Sequence, residues 1–331
     1  MRYLWTATAL MVLLVPAPGN AAEAVSQARV AVEVTNGTAN GASVEGDEVT
    51  LLLYKGQEQV DSRSAKTGQD GKAVFENIPA GQGVAAVARA KHQNMAFNSQ
   101  PVLLVSASGE ASASVQVFDV STDTSKLFVG MHHIMIAVRS TSLEFKEFMQ
   151  LSNPSDMAIT GSQRDDQNKP VVIAIRLPKG FRDLTVSSYL EEEAMVVTAD
   201  GFHDTLAVPP GEHQVGFSYK LDIDRSVISI AKEITLSTSE LMIFWERGQG
   251  RLEGLGEPSG RLTNTEGIPV EYYRRASVKP GEEIAFQISG FSVKHSDSFT
   301  WIILAAVFAA IVVIALTRPR STSTKSGRRH A

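Results

Sequence analysis

From Ala28 onward the apolar positions recur with a period of two. Val30, Val32 and Val34 alternate with Ala31, Glu33 and Thr35. Val215, Phe217, Tyr219 and Leu221 alternate with Gln214, Gly216, Ser218 and Lys220, and Ile284, Phe286 and Ile288 repeat the pattern near the end. Successive side chains of a strand point to opposite faces, so these runs predict half-buried β-strands. Turn chemistry interrupts them at Asn36-Gly37, Asp70-Gly71, Pro79-Ala80-Gly81, Pro178-Lys179-Gly180, Asp200-Gly201, Pro209-Pro210-Gly211 and Pro280-Gly281. Glycine there supplies positive φ and proline withholds a ladder donor. No segment between residues 23 and 297 carries a long apolar stripe at helical spacing bounded by caps. The expected fold is all-β, with two tandem β-sandwich units. The first covers residues 27–120, with strands near 28–35, 49–55, 72–76, 84–91, 100–106 and 113–119. A polar linker follows over 121–126. The second covers 127–291, with strands around 131–139, 143–152, 170–177, 212–221, 226–236, 239–246, 269–276 and 282–290.

The two ends break this pattern. Residues 1–22 start with Met1 and Arg2, run through the apolar stretch Leu10–Val15 and finish in Pro18-Gly19-Asn20-Ala21-Ala22. That is the layout of a secretory signal peptide, with cleavage expected between Ala21 and Ala24. Residues 299–316, FTWIILAAVFAAIVVIAL, contain no charge. At about 1.5 Å per residue they reach about 27 Å, enough to cross a hydrocarbon core as a single C-terminal transmembrane helix. Trp301 stands at the leading edge, and the tail 317–331 holds five Lys or Arg and no acid, which assigns the tail to the cytoplasm and the two β units to the other side. No LPxTG motif precedes Phe299, so cell-wall attachment is not expected.

Composition narrows the chemistry. The 331 residues include no cysteine, which excludes disulfide frameworks, thiolate metal sites and thiol nucleophiles. With Arg2 and the five basic tail residues set aside, the exterior carries 25 basic against 36 acidic side chains, a net charge near −11. An acidic exterior argues against nucleic acid or anionic lipid as its target. A large exterior without cysteine and with one N-x-T site, at Asn36-Gly37-Thr38, is unusual for an animal cell-surface protein. A bacterial inner-membrane protein facing the periplasm is the better match.

Within the first unit, Val49-Thr50-Leu51-Leu52-Leu53-Tyr54 is followed by Thr67-Gly68-Gln69-Asp70-Gly71-Lys72-Ala73-Val74-Phe75-Glu76-Asn77-Ile78-Pro79-Ala80-Gly81. This stretch resembles the carboxypeptidase regulatory-like, or prealbumin-like, domain, whose pattern is T-x-x-D-G-x-a-x-F-x-x-[IL]-P-x-G. On that pattern Asp70-Gly71 makes a tight hairpin and Val74 and Phe75 enter the core. The resemblance covers about 90 of the 331 residues. It implies a seven-stranded sandwich of the carbohydrate-binding-like and transthyretin-like group, used as a folding aid, spacer or ligand-binding module, and it implies no catalysis. Related adhesin modules join a first-strand Lys to a last-strand Asn. Here ARVAVEVT has no Lys and ASASVQVFDV no Asn, so no such crosslink is expected. The strand count of the second unit suits an eight-stranded sandwich of Ig-like type, either undivided or in two parts.

Candidate chemistry is sparse. In Met131-His132-His133-Ile134-Met135, strand alternation puts Met131, His133 and Met135 on one face, and imidazole with thioether suits copper. The competing reading has Met131 and Met135 filling a core while His132 faces water. Asp222 and Asp224, Asp165 and Asp166, and Glu191-Glu192-Glu193 lack the spacing of a calcium loop, and no hydrolase, zincin or nucleotide-binding fingerprint occurs. Phe244-Trp245 and Tyr272-Tyr273 lie in strands. Leu241–Trp245 is apolar on both faces and reads as buried core, whereas one of Tyr272 and Tyr273 must face outward, where it could stack on a sugar or a partner side chain.

These observations point to a non-enzymatic, membrane-anchored envelope protein. The leading expectation is an interaction platform or accessory subunit for envelope or inner-membrane proteins, with no cofactor. A tether for cell-wall glycan is the opposing reading, and a copper-handling protein built on Met131, His133 and Met135 is a third.

Overall fold

A computed structural model describes residues 26–105, 109–139, 141–264 and 267–291. The signal segment 1–22, the span 299–316 and the tail 317–331 lie outside the described residues, within which no helix is long and apolar enough to cross a membrane. The chain is all-β, with several sheets. The described residues divide into two compact units, one from 26–36 and 42–117, the other from 37–41 and 118–291.

The first unit contains β1 (Ser26–Asn36), β2 (Glu48–Lys55), β3 (Glu58–Lys66), β4 (Lys72–Ala80), β5 (Val84–His92), β6 (Met95–Asn98), β7 (Val102–Leu103) and β8 (Glu110–Val117). One sheet has the order β4-β1-β8, with β1 and β8 parallel. The other has the order β3-β2-β5-β6, with β7 also on β5. The alternation in β1 does what its pattern demands: Val30, Val32 and Val34 are buried. On the second sheet Val49, Leu51 and Leu53 stand opposite Ala90, Ala88 and Ala86, large against small, and all six are buried.

Two local expectations change. Asp70-Gly71 does form a tight turn, in which the Gly71 amide donates to the Gly68 carbonyl at 3.0 Å. It is not a hairpin, however, because β3 and β4 belong to different sheets. Gly71 has φ +71° and a Cβ there would sit 2.7 Å from the Val34 carbonyl oxygen, so the crossing requires glycine. Val74 and Phe75 are neighbours in a strand and cannot share a face. Phe75 is buried and Val74 is 41% exposed. Strand β3, EQVDSRSAK, carries no period-two apolar signal because neither of its faces is buried, and its charges suit an exposed edge.

The former linker segment holds β9 (Val120–Ser121) and a 3-10 turn, Thr124–Lys126, capped by Asp123. The second unit continues with β10 (Phe128–Val138), β11 (Ser142–Asn153), β12 (Ala158–Ile159), β13 (Ile173–Arg176), β14 (Arg182–Ser188), β15 (Met195–Thr198), β16 (Gly201–Asp204), β17 (Gly211–Asp222), β18 (Val227–Ile234), β19 (Thr238–Glu246), β20 (Arg251–Glu253), β21 (Gly260–Thr263), β22 (Pro269–Val278) and β23 (Glu282–Ser289). A seven-stranded sheet runs β14-β17-β11-β10-β19-β22-β21, and two three-stranded sheets run β13-β16-β15 and β18-β23-β20. Strand β10 is the middle strand of the large sheet, antiparallel to β11 and parallel to β19. One core unites these sheets. It takes Ile134 and Ile136 from β10, Phe145 and Leu151 from β11, Phe217 from β17, Ile243 and Trp245 from β19, and Ile228, Ile230 and Ile234 from β18. The inward residues of the large sheet are the odd positions of β11 and β17 and, beyond the register shift between Val129 and Met131, the even positions of β10. That alternation makes β10 a two-sided strand at the centre of the unit.

Candidate functional site

On its inner face β10 presents His132, and on its outer face His133. Both imidazoles are buried, in different chemical settings.

The inner setting is a charge cluster. Glu147, at an inward position of β11, is 0% exposed. His132 Nε2 lies 2.7 Å from its Oε2. The Tyr219 hydroxyl donates to Oε1 at 2.8 Å, and Lys232 Nζ reaches the same oxygen at 3.0 Å. Lys232 arrives from β18, in another sheet, and its Nζ also donates to the Arg176 carbonyl at 2.8 Å. Its ammonium stands 5.6 Å from the Phe217 ring centroid and 5.9 Å from that of Tyr219. Tyr219 is itself held by stacking on Phe145 at 4.9 Å. Every oxygen of the carboxylate is thus engaged, as a charge without water requires. Burial alone would raise the Glu147 pKa, but the Lys232 charge and the His132 hydrogen bond outweigh it and bring it down to about 2. At Lys232 burial dominates, so its ammonium is pulled below the ordinary lysine value against the attraction of Glu147. Burial and the neighbouring Glu147 charge push the Tyr219 phenol far up.

His132 therefore faces the core, contrary to the reading in which it meets water. The carboxylate on the adjoining strand supplies the partner that burial demands. Glu147 and Lys232 escaped the sequence reading, yet a signal was present. Glu147 falls in phase with Leu143, Phe145, Met149 and Leu151, and Lys232 in phase with Ile228, Ile230 and Ile234. Two opposite charges on apolar phases of separate strands are the mark of an internal ion pair.

The outer setting is mainly apolar, with Lys146, Gln150 and Glu240 among its cross-strand neighbours. Cross-strand register sets Phe148 and Met242 on either side of His133 and Lys146 and Phe244 on either side of Met135. Tyr272 lies beside Phe244. The predicted face shared by Met131, His133 and Met135 is thus present, and the pairing of β10 with β19 adds Met242. Phe244 meets the His133 ring edge-on at 5.2 Å and Tyr272 at 6.2 Å. Burial is the main reason that the His133 pKa falls to about 4, with the His132 charge adding to the fall and Glu240 opposing it. Met131, Phe148, Met242, Phe244 and Tyr272 are half-buried, while His133 and Met135 between them are buried, and among the described residues no second sheet packs on this face. The expectation that Leu241–Trp245 is core on both faces changes accordingly: Leu241, Ile243 and Trp245 are buried, while Met242 and Phe244 belong to the open face. Tyr273 turns into the core and Tyr272 outward. A Cβ on Gly260 of the edge strand β21 would run into the Tyr272 ring, so glycine lets the ring lie across the strand.

Three of the acidic candidates are engaged elsewhere. Asp222 accepts from Arg182 Nε at 2.8 Å and Asp224 from Arg225 Nε at 2.9 Å. Asp165 accepts backbone amides of Gln167 and Lys169 and lies 3.1 Å from His203 Nε2. The neighbouring Asp204 is 1% exposed. Its Oδ1 accepts from the Leu206 amide at 3.0 Å, and among the described residues its buried Oδ2 has no hydrogen-bond partner. Burial raises its pKa to about 6, against the Leu206 and Thr205 amides, which favour the ionised form.

Two outcomes follow from these geometries. Lys232→Met strands the buried Glu147 carboxyl without its ammonium, so it destabilises the unit by about 3–5 kcal/mol, whereas Lys232→Met with Glu147→Leu restores most of that loss. Urea unfolding followed by tryptophan fluorescence measures both, and a double variant as unstable as the single one contradicts the pairing. The second outcome concerns Asp204. Its folded pKa lies above its unfolded value, so its contribution is full below about pH 4 and is lost as pH rises through about 6. Asp204→Asn should therefore gain on the wild type by about 1 kcal/mol between pH 5 and pH 7. An unchanged difference at the two pH values contradicts the raised pKa.

No family model and no curated protein matches the chain. Among solved structures, an M1 zinc metallopeptidase variant from Deinococcus radiodurans, bound to a Tyr-Ser-Ala substrate, aligns at 11% identity and a TM-score of 0.32, over 50% of this chain and 42% of that one. The chain thus spans less than half the length of that peptidase. The full-length major pilin SpaD from Corynebacterium diphtheriae aligns at 10% identity and a TM-score of 0.20, over 80% of this chain and 81% of the pilin. The likeness is one of β-rich chains and assigns no family.

Proposed function

We propose that the chain is a non-enzymatic protein of the bacterial envelope, anchored by residues 299–316, whose two β units stand on the periplasmic side of the inner membrane. In this reading the first unit is a carboxypeptidase regulatory-like sandwich and the second an enlarged Ig-like one. The outer face of the seven-stranded sheet is the surface on which an envelope or inner-membrane protein docks. The observation that carries the reading is the composition of that face. Met131, Phe148, Met242, Phe244 and Tyr272 are half-buried on the widest sheet of the unit. Charged groups rim them, among them the Arg274–Glu240 pair. Aromatic and methionine side chains inside a polar rim are the composition of protein interfaces, where such residues supply most of the binding energy.

The glycan-tether reading draws on the same face, since Tyr272 and Phe244 could stack on a sugar ring. In-cell crosslinking of the full-length protein, purification from detergent and mass spectrometry separate the two, with controls truncated before Phe299 and carrying Phe148→Asp. Enrichment of a defined set of membrane proteins by the anchored form, lost in Phe148→Asp, is the expected result. Cell-wall fragments recovered with both the anchored and truncated forms, without protein enrichment, would overturn docking in favour of the tether.

A further inference from the structure

We propose that the outer face of β10 and β19 binds a soft monovalent metal ion, copper(I), through the imidazole of His133 and the thioethers of Met131, Met135 and Met242. Three of the chain's nine methionines surround one histidine here, and the topology explains how. Alternation puts Met131 and Met135 two residues to either side of His133, on its face of β10. The parallel register of β10 with β19 sets Met242 directly opposite it. Residues two apart in a strand are separated by about 6.8 Å and neighbouring strands by about 4.8 Å. A methionine has three rotatable side-chain bonds, so a thioether from each of these positions can lean toward an ion held above the imidazole.

The donor set selects the ion. Thioether sulfur is uncharged and soft, and it suits copper(I) over the hard cations that want carboxylate or carbonyl oxygen. The imidazole is 5% exposed, so it can offer a nitrogen to an ion away from bulk water. Phe148 stands on the side of His133 opposite Met242, and Phe244 meets its ring at 5.2 Å. These two rings keep water away from a weakly hydrated monovalent ion. The absence of cysteine from the whole chain leaves no thiolate to compete for the metal. The inner cluster of Glu147, Lys232 and His132 is fully occupied with its own hydrogen bonds and offers no rival site. This assignment is independent of the docking reading, because an ion can sit on this face whether or not a protein also binds there.

The test uses the full-length protein in detergent, titrated with copper(I) kept reduced by ascorbate, with bicinchoninate as competing chelator and indicator. The wild type is expected to withdraw one equivalent of copper(I). Met242→Leu, and Met131→Leu with Met135→Leu, should each weaken binding by about tenfold or more, a loss of the size seen when a metal site loses a supporting group. Leucine nearly conserves methionine volume, so these variants keep the fold, and circular dichroism verifies it. Met149→Leu, on the opposite face of the same sheet, is the control and should bind as the wild type does. The methionine methyl resonances of Met131, Met135 and Met242 should also shift together when silver(I), a redox-inert probe, is added. Failure to withdraw copper(I) from the chelator would overturn the proposal. So would equal affinity in Met242→Leu and the wild type, or a loss in Met149→Leu as large as that in Met242→Leu.

Discussion

A carboxylate sealed from water must be met by donors for each of its oxygens, and in the second unit that demand falls on Glu147. Its three partners come from three different strands: His132 from β10, Tyr219 from β17 and Lys232 from β18. The first two flank Glu147 within the large sheet, and the third crosses from the sheet that faces it. A hydrophobic core is tolerant of small shifts, because apolar contacts carry little direction. The Glu147 cluster is not tolerant, since a slip of one residue in β11 or β18 would expose one charge and strand the other. The ion pair thus fixes register more than it adds stability, and apolar residues of the same volume would serve the core about as well.

The consequence reaches the other side of the sheet. Because His132 is committed inward, His133 must face outward, and with it Met131 and Met135. The same logic in β19 sends Leu241, Ile243 and Trp245 to the core and leaves Met242 and Phe244 on the open face. The outer face is therefore an apolar surface held in place by a buried charge cluster beneath it. Its half-buried residues, Met131, Phe148, Met242, Phe244 and Tyr272, border the buried His133 and Met135. A rigid, half-open surface of methionine, histidine and aromatic groups is a good platform for a partner side chain or a soft ion.

Much of the fold was legible because strand alternation is a direct imprint of a half-buried sheet. The long strands β10, β11, β17, β18, β19, β22 and β23 all follow from that imprint. What escaped were β3 and the shorter elements β6, β9, β12, β14, β15, β16, β20 and β21, most of them too short to show it. Strand β3 buries neither face, and β20 and β21 are short segments rich in charge and glycine. The family pattern puts Val74 in the core beside Phe75, whereas strand alternation sets the two on opposite faces and leaves Val74 exposed. At the site, the Met131, His133 and Met135 face could be read from one strand. Met242 could not, since its place beside His133 depends on the parallel pairing of strands more than 100 residues apart. The Glu147–Lys232 pair was visible only as two charges out of keeping with their apolar phases, and it needed the sheet pairing to bring them together.

The most direct test of this account is amide hydrogen exchange across the second unit, comparing the wild type with Glu147→Gln. If the buried cluster holds the two sheets in register, amides of His132–Ile136 in β10 and Phe145–Met149 in β11 exchange only through global unfolding. Glu147→Gln then accelerates β10, β11, β17 and β18 together. Acceleration confined to β11, or wild-type amides of β10 exchanging as fast as those of the edge strand β14, would contradict it.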